Sequence, residues 1–420
     1  MAESIDDTTQ DLDPRAGAED RRAAGAVIGA HTLQHFYQHG FFVILPEIYR
    51  SLGMTPVAAG ALELVRRVSG GAASMGGGFV LDRVPEKRIP VLYVSLMLMG
   101  LGYMAVALAP TYAVILVAVG LAGAAGSVWH PAALGLLSQV FPRRRGFMIS
   151  MHRSSGSFGD FIGPLVVGGL LVVASWQTVL IGALPLAVIF ALVLWIMLLR
   201  APTWKAHEVK SEHPRSIISQ FRDLGLVMRS RGLLMLLVVT AFSGLGQGGV
   251  VMWLGLYLSE TQEMGSVGIG IHVAFLTGFG IVAGPVIGAL SDRIGRKPVI
   301  VGVMLGKATF AAAMAITGSG ILFSLSVALL GAVMFGVNAL IQAGALDLAH
   351  GRQLEGSMIG MLWGFNAIFT GLSPLIVGFL VAGVGYGVIF WYVALVNLCG
   401  TIVATMMPSL HQPDHDAVSG

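Results

Sequence analysis

Hydrophobic residues do not alternate with polar ones along this chain. They run on in blocks of about 20 residues or more, each long enough to cross a bilayer core of about 30 Å as a helix. Twelve such blocks can be marked: 24–48, 56–81, 89–109, 111–138, 146–171, 174–199, 232–258, 265–290, 298–318, 320–349, 355–382 and 386–408. The pattern predicts an all-α integral membrane protein of twelve spans, with a polar tail over 1–22, one six-helix bundle over 23–199, a linker over 200–231, a second bundle over 232–408 and a tail over 409–420.

The second bundle repeats the first. Gly78-Phe-Val-Leu-Asp82-Arg83-Val-Pro-Glu-Lys87-Arg88 returns as Gly288-Ala-Leu-Ser-Asp292-Arg293-Ile-Gly295-Arg296-Lys297-Pro298. Gly146-Phe-Met148-Ile149 returns as Gly356-Ser-Met358-Ile359, and Pro164-Leu165 as Pro374-Leu375. All three correspondences share an offset of 210 (78 to 288, 146 to 356, 164 to 374). Two halves in parallel orientation are the plan of a large class of secondary transporters.

Composition agrees with a lipid solvent: 55% hydrophobic and 11% charged residues, with 57 glycines available for close helix approach. Positive charge gathers in one set of loops. Arg21 and Arg22, the two repeated turns, Arg143 to Arg145 and the linker carry nearly all of it, and the opposite loops offer Arg50. By the positive-inside rule both termini are expected in the cytoplasm of a bacterial inner-membrane protein. The net charge of +3 then reflects topology and gives no reason to expect nucleic acid. No apolar core of a cleavable signal peptide is found in residues 1–20. The single cysteine, Cys399, excludes an intrachain disulfide. His207 and His213 in the linker lack zinc-type spacing, so no metal site and no cofactor are expected.

Against this apolar background the polar residues stand out, because each costs free energy unless it meets a partner or an aqueous cavity. Span one carries His31, Gln34, His35 and Gln38 on one helical face, with Tyr37 and His39 beside them. Span two carries Glu63, Arg66 and Arg67, spaced so that Glu63 can pair with either arginine. His130 lies in span four; His152, Arg153 and Asp160 lie in span five, the last two sharing a face. The second half is milder: Gln247 and Trp253, His272, Asn338 and Gln342, Trp363 and Asn366, with Lys307 isolated in span nine. The stripe on span one can equally serve as interhelical hydrogen bonding, the Glu63 group as a structural ion pair, and any single tryptophan as packing. Snorkelling or an acidic partner is expected for Lys307.

The repeated turn resembles the signature loop of the major facilitator superfamily, roughly G-x-x-x-D-R/K-x-G-R/K-R/K. Gly288 to Lys297 fits throughout, and Pro85 replaces a glycine in the first copy. The resemblance covers nearly the whole chain. It implies that Gly78, Asp82, Arg83, Gly288, Asp292 and Arg293 form gating turns, the glycines allowing close packing and the charges latching one conformation. Within the superfamily, Gly126-Ser-Val-Trp-His130-Pro131, Ser155-Gly156-Ser-Phe-Gly159 and Gly163-Pro164, with His31, resemble the fosmidomycin-resistance branch of efflux pumps. Two departures are Ala132, where that branch tends to carry an acid, and the missing acid near His35. Gly159-x-x-x-Gly163-Pro164 also approaches a drug/proton antiporter motif, one residue out of register beyond the proline.

The resemblance implies a central cavity lined by the first helix of each half. The expected substrate contacts are His31, Gln34, His35, Gln38, Arg66, Arg67, His130, Arg153, Gln247, Asn338, Gln342, Trp363 and Asn366. The surplus of arginine favours an anionic or amphiphilic small molecule. No phosphate-binding loop appears, so a proton is the economical coupling ion, carried by Glu63, Asp160 or His35. Proton-coupled efflux from a monomer is the expected function, with uptake of an organic anion by symport as the alternative. A membrane-embedded enzyme or receptor is a remote one, since neither a His-Glu-x-x-His motif nor a nucleophile elbow is present.

Overall fold

The computed structural model describes residues 17–201, 203–204, 231–337, 340–341 and 355–408. They form α1 (Ala18–Ser51), α2 (Pro56–Arg83), α3 (Arg88–Leu108), α4 (Tyr112–Val140), α5 (Arg145–Val173), α6 (Trp176–Ile181) and α7 (Ala183–Leu199). After the linker come α8 (Arg231–Glu260), α9 (Ser266–Gly278), α10 (Gly280–Ile294), α11 (Arg296–Thr317), α12 (Gly320–Met334), α13 (Glu355–Val384) and α14 (Val388–Met406). Spans six and eight are each two helices meeting at a bend, α6–α7 and α9–α10. The linker over 205–230, with His207 and His213, lies outside the described residues.

Helix ends are set by short polar residues. Thr55 and Thr111 cap α2 and α4, each hydroxyl accepting from the backbone N–H three residues on. The first turn of α1 is tied to the segment after α7: Asp20 accepts from Thr203 Oγ1 (2.7 Å) and Gly17 N (3.0 Å). Nine of the described spans are long and apolar enough to cross a bilayer, and α12 is a shorter apolar helix. The two long helices that miss that standard are α1 and α2, because their polar side chains dilute the apolar run. These are the helices that carry most of the candidate site.

Within the first half α1 packs on α5, α2 on α4 and α3 on α4; within the second, α8 packs on α13 and α14. The halves meet along two seams, α2 against α13 and α5 against α9. The seams are copies of each other under the offset of 210. Gly270 faces the carbonyl of Pro164, where a Cβ would sit 2.5 Å from the oxygen, and Gly60 faces the carbonyl of Pro374. Gly168 faces Ser266 and Gly378 faces Pro56, with 2.7 Å available to a Cβ in both cases. Backbone meets backbone here, which requires glycine.

At the end of the molecule away from the charged turns, Arg50 pairs with Glu260 (3.0 Å) and bonds Ser259, joining α1 to α8. Toward the charged turns, α5 and α10 present apolar side chains outward. Phe147, Met151, Val282 and Val286 are all exposed there, and the α5–α9 seam ends near Phe161 and Gly278.

The charged turns differ from expectation at their glycines. Among the described residues no atom comes within 4 Å of a Cβ at Gly288, and a Cβ at Gly78 would make only an ordinary contact with Pro131. Neither glycine is in close packing among the described residues. Gly295 is the position that needs glycine, at φ +91° and ψ 158° between α10 and α11. The first copy, with Pro85, makes a 3-10 turn over Pro85–Lys87 instead. In the second, Arg296 reaches Asp292 at 3.4 Å and Arg293 is exposed; the side chain of Asp82 lies outside the described residues. Gly295→Ala is expected to cost about 1–3 kcal/mol, read as a lowered unfolding temperature in detergent. An unchanged midpoint would show that the turn relaxes freely.

Candidate functional site

Three glycines on α5 bring it onto α1. A Cβ at Gly159 would lie 2.8 Å from the Cβ of His35, one at Gly163 2.9 Å from Phe36 Cα, and one at Gly156 2.7 Å from His31 Cε1. The motif that resembles an antiporter signature therefore seats the histidine face of α1 against α5. Thr32 Oγ1 adds a hydrogen bond to the carbonyl of Ser155 (3.0 Å).

This packing gathers two clusters. In one, Asp160 Oδ1 lies 2.6 Å from His35 Nδ1 and 2.5 Å from His39 Nδ1, and the carboxylate is buried. In the other, His31, His130 and His152 bring three ring nitrogens within 4.8 Å of one another. His31 and His152 stack at 3.6 Å between centroids, and His130 stands edge-on to His31 at 5.2 Å. His31 Nδ1 donates to the carbonyl of His152 (2.7 Å). His35 lies 4.5 Å from His31 and 6.1 Å from His130, linking the clusters. The glutamines of the same stripe turn to α4: Gln34 Nε2 donates to the carbonyl of Gly126, and Gln38 lies beside that glycine.

On α2, Glu63 is held by both arginines. Arg66 donates twice, from Nε and NH2 at 2.7 and 2.6 Å, and Arg67 once, from Nε at 2.7 Å. Arg66 is buried, with its guanidinium carbon 5.5 Å from the centroid of the Phe42 ring. Its fork is spent on Glu63, which separates it from Arg67, whose side chain is 25% exposed and keeps further donors. Arg67 lies within reach of the Asp160 charge and against Gly371 of α13, so it sits at the seam between the halves. Arg153 is exposed and makes no ion pair among the described residues.

The second half contributes unpaired polar atoms. Gln247 Oε1 and Asn366 Nδ2 are buried without partners among the described residues, Asn366 lying against Gly244. Thr277 of α9 donates to the backbone carbonyl of Asp160 (2.7 Å), a direct bond between halves. Trp253 is fully buried and donates to the carbonyl of Pro374 (3.1 Å), a packing role. Asn338, Gln342 and the side chain of Trp363 lie outside the described residues. Lys307 neither snorkels nor pairs with an acid among the described residues; it is 2% exposed and donates to Ser243 Oγ (2.8 Å). Sequence reasoning leaves His39 and His152 out of the site. Their signals are the i, i+4 spacing of His39 from His35 and the position of His152 eight residues before Asp160.

A chain of membrane-length helices in two seam-matched halves, with charged groups concentrated where the halves meet, is the architecture of a secondary transporter. The family model described as the Major Facilitator Superfamily matches residues 27–368. The chain belongs to this superfamily. It is therefore a multi-pass membrane transporter and not an enzyme. It is 23% identical over 395 residues to the fosmidomycin resistance protein of Escherichia coli (strain K12), covering 92% of this chain and 93% of that protein. It is 26% identical over 261 residues to the tetracenomycin C resistance and export protein of Streptomyces glaucescens, covering 49% of this chain and 47% of that one. A solved structure of a mutant of the nucleoside transporter NupG shares the fold at a TM-score of 0.74 and 13% identity, covering 92% of this chain and 99% of that chain.

Proposed function

We propose that this major facilitator transporter exports a small anionic or amphiphilic solute in exchange for protons. Its two halves, 23–199 and 232–408, joined by the linker over 200–231, rock about the buried polar groups between them in alternating access. The arginine-rich loops support, by the positive-inside rule, a reading in which both termini face the cytoplasm of a bacterial inner membrane. The observation that carries the reading is Asp160 of α5, a buried carboxylate held against His35 and His39 of α1, near the seam where α5 and α9 meet.

A proton carrier must be reachable from alternate sides and must exchange its partners as it titrates. Asp160 is better suited than Glu63, whose two oxygens already accept three arginine donors. Arg67 and Arg153, with exposure and spare donors, are the groups best placed to engage an anion. Gln247 and Asn366 offer orienting hydrogen bonds from the second half. Export draws support from the relatives named for resistance.

Proteoliposomes with an imposed pH gradient test the whole reading. Solute flux opposite in direction to the proton gradient is the expected result. Flux in the same direction would establish symport and overturn export. Indifference to pH would assign another ion or uncoupled diffusion.

A further inference from the structure

We propose that His31, His130 and His152 form a binding site for a first-row transition-metal dication, with zinc as the representative ion. Each comes from a different helix, α1, α4 and α5, so no local spacing announces the set. The ring nitrogens lie within 4.8 Å of one another. Tetrahedral zinc with bonds of about 2.0–2.1 Å needs ligand nitrogens about 3.4 Å apart. Side-chain rotation would have to close that difference, the stacked His31 and His152 rings turning toward a common point.

The nitrogens are prepared for an ion. His31 Nδ1 donates to a carbonyl, which accepts only, so its proton is fixed there and the Nε2 lone pair is free. His31 Nε2 and both nitrogens of His152 are buried without a hydrogen-bond partner among the described residues, on side chains 3% and 2% exposed. Orphaned buried polar atoms of this kind destabilise the fold. A metal ion would recover that cost through bonds that imidazole makes well. Gly156 is part of the arrangement, since any Cβ there would press on His31 and His35.

The donor set selects the ion. Three imidazoles and no carboxylate suit zinc, cobalt, nickel or copper and discriminate against calcium and magnesium, which take oxygen. A three-histidine set leaves one tetrahedral position open. His35, 21% exposed and edge-on to His31 and His130, adjoins the triad. Beyond it, Asp160 supplies the nearest negative charge through His35. This site does not depend on the direction or the coupling ion of transport.

The test is metal binding by the full-length protein, purified without a histidine tag in detergent. Cobalt titration should produce the intense visible bands of a tetrahedral site, and zinc should abolish them. Calorimetry should give one zinc ion per chain. His130→Gln and His152→Gln, on different helices, should each weaken binding by about 100-fold or more, since even outer-shell changes cost 10–100-fold. His272→Gln should bind as wild type, that ring being occupied by Gly268 O and Ser324. Unfolding midpoints without metal identify any variant that has failed to fold. No cobalt bands in the wild type would overturn the site. So would undiminished binding in both triad variants, or loss in Asp160→Asn with binding intact in His152→Gln, which would place the ion at His35, His39 and Asp160.

Discussion

Asp160→Asn is expected to reduce gradient-driven accumulation to the level seen without a pH gradient, while solute exchange across the membrane persists. One carboxylate oxygen accepts from His35 Nδ1 at 2.6 Å and lies 2.5 Å from His39 Nδ1. Asparagine keeps the shape and one acceptor oxygen but has no charge to gain or lose. The proposed binding groups Arg67 and Arg153 are untouched, so solute exchange should persist. The measurement compares counterflow with pH-driven uptake in the same proteoliposomes. A variant that still concentrates solute in response to the gradient would remove Asp160 from the coupling path and return attention to Glu63 or His35.

The second large effect falls on stability. Glu63→Gln should leave Arg66 and Arg67 adjacent with no anion between them, Arg66 being almost wholly buried. Removing one partner of a buried ion pair costs about 3–5 kcal/mol. Folded yield and unfolding temperature in detergent should fall sharply, and a second change, Arg66→Met, should restore part of the loss by removing the charge left unpaired. If Glu63→Gln alone unfolds as the wild type does, the carboxylate is dispensable to the fold. In that case the arginines have another partner, and a transport role for Glu63 becomes the better account.

The bilayer makes much of this fold legible. A span must satisfy its own backbone hydrogen bonds and must cross about 30 Å, so apolar length marks each helix, and the offset of 210 marks the halves. The face of α1 that carries His31 and His35 is likewise readable from helical periodicity. What touches that face is not. The choice of Arg66 as the bidentate partner of Glu63 depends on Phe42 and on burial, neither of which local spacing records. His152 joins His31 across two helices because Gly156 admits the rings. Lys307 finds Ser243, 64 positions away, where sequence could offer only snorkelling or an acid. The surroundings of the signature glycines are not readable either, and Gly288 has open space around it among the described residues.

The two seams carry a mechanical consequence. Side chains that interdigitate behave like gear teeth, and separating them means climbing out of one packed arrangement into another. At Gly60, Gly168, Gly270 and Gly378 there are no teeth; smooth backbone faces lie against each other. In the proposed rocking motion the halves would roll there as on a plain bearing, and because the bearings are duplicates under the offset of 210, the rotation would be balanced. A bulky residue at Gly270 would act as a chock under one bearing alone, leaving the sister surface at Gly60 running free.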